Sequence, residues 1–141
     1  MQSGGVFTVT AGKDQSLTGL GHDRAVQVPG VDPFLSGRCS PSSNCLNYLN
    51  KDAFQLPATG TFGTLGKDSF RGPHSITWDM GFFKNFPVTE RVKLQVRAEF
   101  FNVFNHTNFS DPASSYSSNG FGTITGAGEP RIGQMALKLN F

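Results

Sequence analysis

Charge is scarce in this chain: Lys, Arg, Asp and Glu supply only 16 % of its 141 residues, and no segment concentrates one sign. A net charge of +2, with twelve scattered Lys and Arg, leaves no electrostatic footprint for nucleic acid, which is excluded as a partner. Long apolar runs are also missing. No window approaches the ~18 to 20 consecutive apolar residues of a membrane-spanning helix, so any crossing of a bilayer must be made by strands. The N-terminus reads Met1-Gln2-Ser3-Gly4-Gly5-Val6-Phe7, with no basic segment and no apolar core behind it, so these residues are not expected to be a secretory signal. The chain is therefore expected either to be cytosolic or to begin downstream of its true start. With 17 Gly and 8 Pro, long helices are disfavoured and a helical bundle is excluded.

What the chain does have is phenylalanine, 14 residues of it, and a hydrophobic pattern that changes along its length. Leu, Ile, Val and Phe make about a quarter of the sequence, above the roughly 20 % below which chains tend to be disordered. Residues 1–11 contain the end of a strand, Gly5 to Thr10. Residues 12–74 lose all period and are punctuated by Pro29-Gly30, Asp32-Pro33, Ser40-Pro41-Ser42-Ser43-Asn44 and Arg71-Gly72-Pro73, which reads as one long loop. From Ser75 the texture is strictly alternating, with Ile76, Trp78, Met80 and Phe82 on one side. After the tight connection Pro87 to Arg91, Val92, Leu94, Val96, Ala98 and Phe100 alternate with Lys93, Gln95, Arg97 and Glu99. A second loop, 105–128, leads to a closing segment, 129–141, in which Met135, Leu137, Leu139 and Phe141 share a face with Lys138 on the other. The expected fold is all-β: an antiparallel meander of three to four long strands, with strands at 75–86, 92–104 and 131–141 and a hairpin across 75–104.

Alternation alone marks any half-buried antiparallel sheet, whose apolar face would ordinarily cover a soluble core. Three features turn the expectation toward lipid. Lys93, Arg97 and Glu99 fall on one face of the second strand and no charge falls on the other, and lipid exposure of a midplane Lys or Arg costs about 2 to 4 kcal/mol. The alternating segments also run to twelve and thirteen residues, a little over the ~9 to 11 that a tilted spanning strand needs. Trp78 and Phe104 at one end of the hairpin, and Phe86 and Phe141 at the other, match aromatic girdles. The apolar set (Ile76, Trp78, Met80, Phe82, Val92, Leu94, Val96, Ala98, Phe100, Met135, Leu137, Leu139, Phe141) is thus expected to face lipid. The polar set (Asp79, Lys93, Gln95, Arg97, Glu99, Lys138) is expected to face a lumen, with Asp79 within reach of Arg97 or Glu99. Because barrels have short periplasmic turns and long extracellular loops, residues 87–91 are expected on the periplasmic side and 12–74 and 105–128 outside.

These residues resemble the C-terminal barrel portion of Oar-like, TonB-dependent outer-membrane receptors, a family with a carboxypeptidase-regulatory-like N-terminal domain. The resemblance is carried by Gly63-Thr64-Leu65-Gly66-Lys67-Asp68-Ser69-Phe70-Arg71-Gly72-Pro73 and by Phe82-Phe83-Lys84-Asn85-Phe86-Pro87-Val88-Thr89-Glu90-Arg91. It continues in Arg97-Ala98-Glu99-Phe100-Phe101-Asn102-Val103-Phe104-Asn105-His106-Thr107-Asn108-Phe109, in Glu129-Pro130-Arg131 and in Gln134 to Phe141. It implies a cell outer-membrane location, a plugged barrel of about 22 strands and transport driven from the inner membrane. The implied partners are outer-membrane lipid, the rest of the barrel and its plug, the barrel assembly machinery, and an energy-transducing inner-membrane complex engaged only through N-terminal parts not matched here. Phe141, a terminal aromatic in an alternating strand, looks like the assembly signal of such barrels. Three strands and a stub are fewer than the eight of the smallest barrels, so the chain is expected to be a C-terminal fragment.

The remaining candidates point away from catalysis. Cys39 and Cys45, six apart in the long loop, invite a disulfide in an exported chain, with free thiols as the other possibility, and their spacing matches no zinc site. Asp14, His22, Asp23 and Asp32 offer ligands to a cation, but such irregular spacing more often marks solvated loop positions. Asn105-His106-Thr107 and Asn108-Phe109-Ser110 fit the glycosylation pattern, a coincidence in a bacterial outer-membrane protein. The polar-face charges either line a substrate path or pair with one another across strands, and the second reading is favoured. No nucleophile, base and acid arrangement occurs, so the chain is expected not to be an enzyme and to need no cofactor or metal. The competing function is a secreted β-sandwich binding glycan or protein through its Phe-rich face. It would need a second sheet to cover Trp78, Phe82, Phe100 and Leu137.

Overall fold

In the computed structural model, which describes residues 2–39 and 45–141, the described residues contain nine strands, one 3-10 turn at Lys51–Ala53 and no α-helix. The strands are β1 (Val6–Phe7), β2 (Val26–Gln27), β3 (Leu46–Asn47), β4 (Phe54–Gln55), β5 (Phe70–Arg71), β6 (Met80–Pro87), β7 (Lys93–Phe101), β8 (Thr123–Ile124) and β9 (Ile132–Asn140). They divide between two compact units, one made mainly of residues 75–108 and 127–141, the other of 3–74 and 109–126.

The first unit is a three-stranded antiparallel sheet in the order β6-β7-β9. Its register pairs Met80 with Phe100 and Phe86 with Leu94 in the hairpin, and Phe100 with Gly133 and Leu94 with Leu139 across β7 and β9. The hairpin closes at Val92, whose carbonyl accepts from the Val88 and Thr89 amides while its own N–H donates to Thr89 Oγ1. The strands are shorter than the sequence period suggested, eight, nine and nine residues. At the far end of the hairpin the chain is bonded by side chains instead of a ladder. Asn108 Oδ1 accepts from Ile76 N–H and its Nδ2 donates to Ile76 O, while Ser75 bridges to Gln2, so the alternating stretch 75–79 lies outside the regular β6–β7 ladder. β7 stops at Asn102, whose φ of 49° lies in the left-handed region. The ladder then resumes one residue out of step, Val103 N–H donating to Trp78 O, so Asn102 is the extra residue of a bulge.

The second unit corrects the reading of 12–74 as a periodless loop. Three two-residue ladders order it, β1 with β5 and β2 with β4 inside residues 3–74 and β3 with β8 joining that segment to 109–126, and β1 is paired with Phe70 and Arg71 rather than left as a strand end. A two-residue strand cannot show a period of two, which is why these ladders left no trace in the hydropathy pattern. The unit has its own core: Val9, Ala25, Leu49, Ala53, Phe54, Leu65, Phe70 and Phe121. Its rings form a connected chain of edge contacts, Phe54 with Phe70 at 5.4 Å, Phe54 with Phe121 at 5.5 Å and Phe121 with Tyr116 at 5.4 Å. Phenylalanine thus supplies in volume what so little regular structure cannot supply in hydrogen bonds. Gly63 is required by close approach, since a side chain there would run into the carbonyl of Arg24.

Candidate functional site: an exposed two-faced sheet and its rim

Directly paired residues of an antiparallel sheet project to the same side, so the register sorts the side chains without ambiguity. One face carries four rows: Met80, Phe100 and Gly133; Phe82, Ala98 and Met135; Lys84, Val96 and Leu137; Phe86, Leu94 and Leu139. All of the expected apolar set that lies within the strands falls here, and Phe141 continues β9 beyond Asn140 at the Phe86 end. This face is open, with Met135 at 83 % and Leu137 at 73 % exposure and Phe82 also exposed. Among the described residues no second sheet covers it as the β-sandwich alternative would require. Ile76, Trp78 and Val92 lie just outside the strands. Trp78 packs against Phe104 with ring centroids 5.7 Å apart, so the two rings form one aromatic corner at the end opposite the hairpin turn.

The second face carries Gly81, Phe83, Asn85 and Pro87 against Glu99, Arg97, Gln95 and Lys93, and these against Gln134, Ala136, Lys138 and Asn140. Two of its charges answer one another. Arg97 Nη2 reaches Glu99 Oε1 at 2.8 Å, Gln134 Nε2 donates to Glu99 Oε2 at 2.6 Å, and the Arg97 guanidinium lies 4.8 Å from the centre of the Phe83 ring. Asp79, expected to reach Arg97 or Glu99, instead accepts the Asn102 amide at 3.0 Å. The bulge at Asn102 leaves that N–H without a ladder partner, and the nearest carboxylate takes it.

Two features of the sheet were missed from sequence. Lys84 stands on the apolar face, opposite Val96, because β6 places an even-numbered residue there whatever its type. Three asparagines of the motif Asn102, Asn105 and Asn108 tie the rim together. Asn102 Nδ2 donates to the carbonyls of His106 and Glu129 and its Oδ1 accepts from His106 N–H. Asn105 Oδ1 accepts from Arg131 N–H at 3.0 Å. With the grip of Asn108 on Ile76, the segment after β7 clasps both the lead into β6 and the lead into β9. The spacing was visible, but its partners lie some thirty residues away on either side.

In the second unit Cys39 and Cys45 form a disulfide. The carboxylates weighed as cation ligands serve the backbone: Asp23 accepts from Gln15 N–H (2.6 Å), Ser16 N–H (2.7 Å) and Ser16 Oγ (2.9 Å), and Asp14 accepts from the amides of Thr18 and Gly19. The Ser16 amide foremost, with the Ser16 hydroxyl and the Gln15 amide, outweighs desolvation and holds the Asp23 carboxyl below the usual carboxylate range. Asp32 Oδ1 accepts from Phe34 N–H across Pro33, an Asx turn. No group of three His, Cys, Asp or Glu suited to a metal occurs among the described residues. An open cleft of about 350 Å³ is lined by Thr18, Leu20, His22, Asp23, Arg24, Phe62 and Gly63. Tyr48 donates its hydroxyl to Arg71 O, and desolvation, with the charge of Asp111, raises its pKa.

An all-β sheet with one apolar and one hydrogen-bonded polar face, both open, is the wall of a β-barrel rather than half of a soluble core. The comparison with protein families agrees. The family described as an outer membrane beta barrel domain matches residues 1–134, so the chain belongs to that family and its place is the outer membrane. No curated protein and no solved structure matches the chain.

Proposed function

We propose that this chain forms part of the wall and of the external loops of an Oar-like, TonB-dependent outer-membrane transporter. The observation that carries the reading is the four-row apolar face, open along its length and backed by a polar face on which Arg97 pairs with Glu99 along β7 and Gln134 of β9 donates to Glu99. In this reading Met80, Phe82, Leu94, Val96, Ala98, Phe100, Met135, Leu137 and Leu139 meet lipid. Arg97, Glu99, Gln95, Lys93 and Lys138 line the lumen, and Trp78, Phe104, Phe86 and Phe141 mark the two interfaces. The turn 87–91 is periplasmic. The second unit lies outside, where its cleft around Arg24 and Phe62 is a place for ligand contact. Three long strands do not close a barrel, so the remaining wall and the plug come from other parts of the assembled protein. The chain's part is structural and binding, not catalytic, and Phe141 serves the assembly machinery. What supports the transporter class over other barrels is the resemblance through residues 63–141.

The test is made on the full-length protein in outer-membrane vesicles. Cysteines placed at Val96 and Leu137 should react with lipid-soluble maleimide and not with a water-soluble one, whereas cysteines at Gln95 and Lys138 should do the reverse. Cross-linking to the energy-transducing inner-membrane complex then tests the transporter class separately. A correctly oriented wall with no such cross-link would leave a barrel of another class.

A further inference from the structure

Lys84 is the charged residue that the register places on the apolar face, in the row of Val96 and Leu137 and one row inward from Phe86, Leu94 and Leu139. A lone lysine there is expensive in hydrocarbon unless its ammonium is carried to the interface and answered. Its four-carbon stem spans about one row of the sheet, enough to bring the ammonium level with Phe86 on the turn side. Its Nζ has no hydrogen bond or ion pair among the described residues. Beside it lies a groove of about 300 Å³ lined by Phe82, Phe83, Lys84, Val96 and Ala98. The groove exists because Ala98, opposite Phe82, leaves the middle of the face shallow between larger neighbours.

We infer that Lys84 and this groove form a binding site for an anionic phospholipid of the periplasmic leaflet, the phosphate held by the ammonium and an acyl chain laid between Phe82 and Val96. The site rests on the membrane-wall reading given above. Charge complementarity selects the occupant: an apolar trough ending in a single unanswered cation matches a molecule with an acyl chain below an anionic head. The leaflet follows from the lysine's place on the turn side of the sheet. The polar face, with Lys93 and Lys138, offers a second set of cations at the same end but no apolar trough, and so serves as a control.

The experiment uses the full-length protein carrying this sequence, reconstituted in vesicles of phosphatidylcholine with and without 20 % phosphatidylglycerol, a composition of roughly the anionic content at which basic side chains respond to membrane charge. It is then extracted gently, and the phosphatidylglycerol that stays bound is counted by native mass spectrometry. Retention should fall about fivefold in K84Q, the factor expected of one lysine at an anionic surface, recover in K84R, and be unchanged in K93Q. An Ala98→Leu variant, which fills the trough while keeping the charge, should also lose retained lipid. Equal retention in K84Q and wild type overturns the inference, and means that Lys84 is answered by an acid on the adjoining strand of the closed wall. Equal loss in K93Q also overturns it, in favour of diffuse charge, as does displacement of the lipid by inorganic phosphate alone. Heat-resistant migration in detergent reports whether the barrel has formed. A protein that does not insert overturns the wall reading and this site together, whereas one that inserts without lysine-dependent retention overturns only the site.

Discussion

Replacing Val96 by Arg puts the two-faced sheet to its strictest test. Val96 lies in the middle strand, between Lys84 and Leu137 in the same row, and three residues from the Lys93 end of β7. At roughly 3.3 Å per residue and a tilt of about 45°, with Lys93 at the edge, its side chain sits about 7 Å inside an apolar band of about 25 Å. It is therefore roughly 5 Å short of the midplane, where an arginine costs about 2 to 4 kcal/mol, so the lower half of that range, about 2 to 3 kcal/mol, applies here. Lys84 stands directly opposite, and a like-charge cross-strand pair adds up to about 1 kcal/mol. Gln95→Arg, one residue away, points to the face that already holds Arg97 and Glu99, and should change stability by less than about 0.5 kcal/mol. The assay is equilibrium unfolding by guanidinium of the full-length protein in lipid vesicles, each variant compared with wild type at fixed lipid composition. A Gln95→Arg loss equal to or larger than that of Val96→Arg would refute the assignment of faces, because no one-residue error in register leaves both results standing.

Three further outcomes follow from the rim, the second unit and the terminus. Asn102→Ala removes a side chain that makes three hydrogen bonds and holds a left-handed φ, and should lower stability by about 2 to 3 kcal/mol. Asn102→Gly should recover part of it, and the reverse order in denaturant midpoints would count against a bulge at this position. Asp23 contributes stability above its unfolded pKa of about 3.9, and because its folded pKa is depressed that contribution is lost as pH falls through the folded value. The protection factors of the Gln15 and Ser16 amides, taken against intrinsic exchange at each pH, should therefore stay high at pH 5 and fall toward pH 2, and an Asp23→Asn protein showing the same acid-dependent fall would be evidence against the carboxylate as its source. Deleting Phe141, which is 95 % exposed in this sheet, removes roughly 2 to 3 kcal/mol of apolar contact with lipid, too little to unfold a large barrel. The expected result is impaired assembly, and unchanged surface levels by antibody labelling of an epitope in 105–128 would make the residue ordinary packing.

The long strands were legible because their chemistry repeats. Val92 to Phe100 alternates through five apolar positions, and one slip would turn all of them to the other face, so the sequence permits one sorting of residues and the register adopts it. The ends of those strands were not legible, since 75–79 alternates as well as any strand does. What removes it from the ladder is a side chain, Asn108, taking the Ile76 backbone groups. The second unit was hidden for a related reason. Its ladders are two residues long and join segments far apart in the chain, such as Phe7 with Phe70 and Gln27 with Phe54, while its order comes from rings meeting edge to face, a contact that has no period.

Local chemistry decides the rest, and it explains why the same residue types were read correctly in one place and wrongly in another. Asp23 and Asp14 looked like ligands because a carboxylate in a loop is an oxygen donor, yet a chain that turns sharply between Lys13 and Gly19 exposes amides that must be bonded, and the nearest carboxylates take them. Asp79 follows the same rule at the bulge, accepting the amide of Asn102 where reach of Arg97 or Glu99 had been expected. Arg97 then turns to Glu99 and Phe83 on the polar face. Lys84 is the exception on the opposite face. Its position was fixed by parity alone, in a row otherwise made of Val96 and Leu137, and no neighbouring acid among the described residues answers it. A charge that the backbone places in an apolar row, and that the surrounding chain does not neutralise, requires something outside the chain to do so.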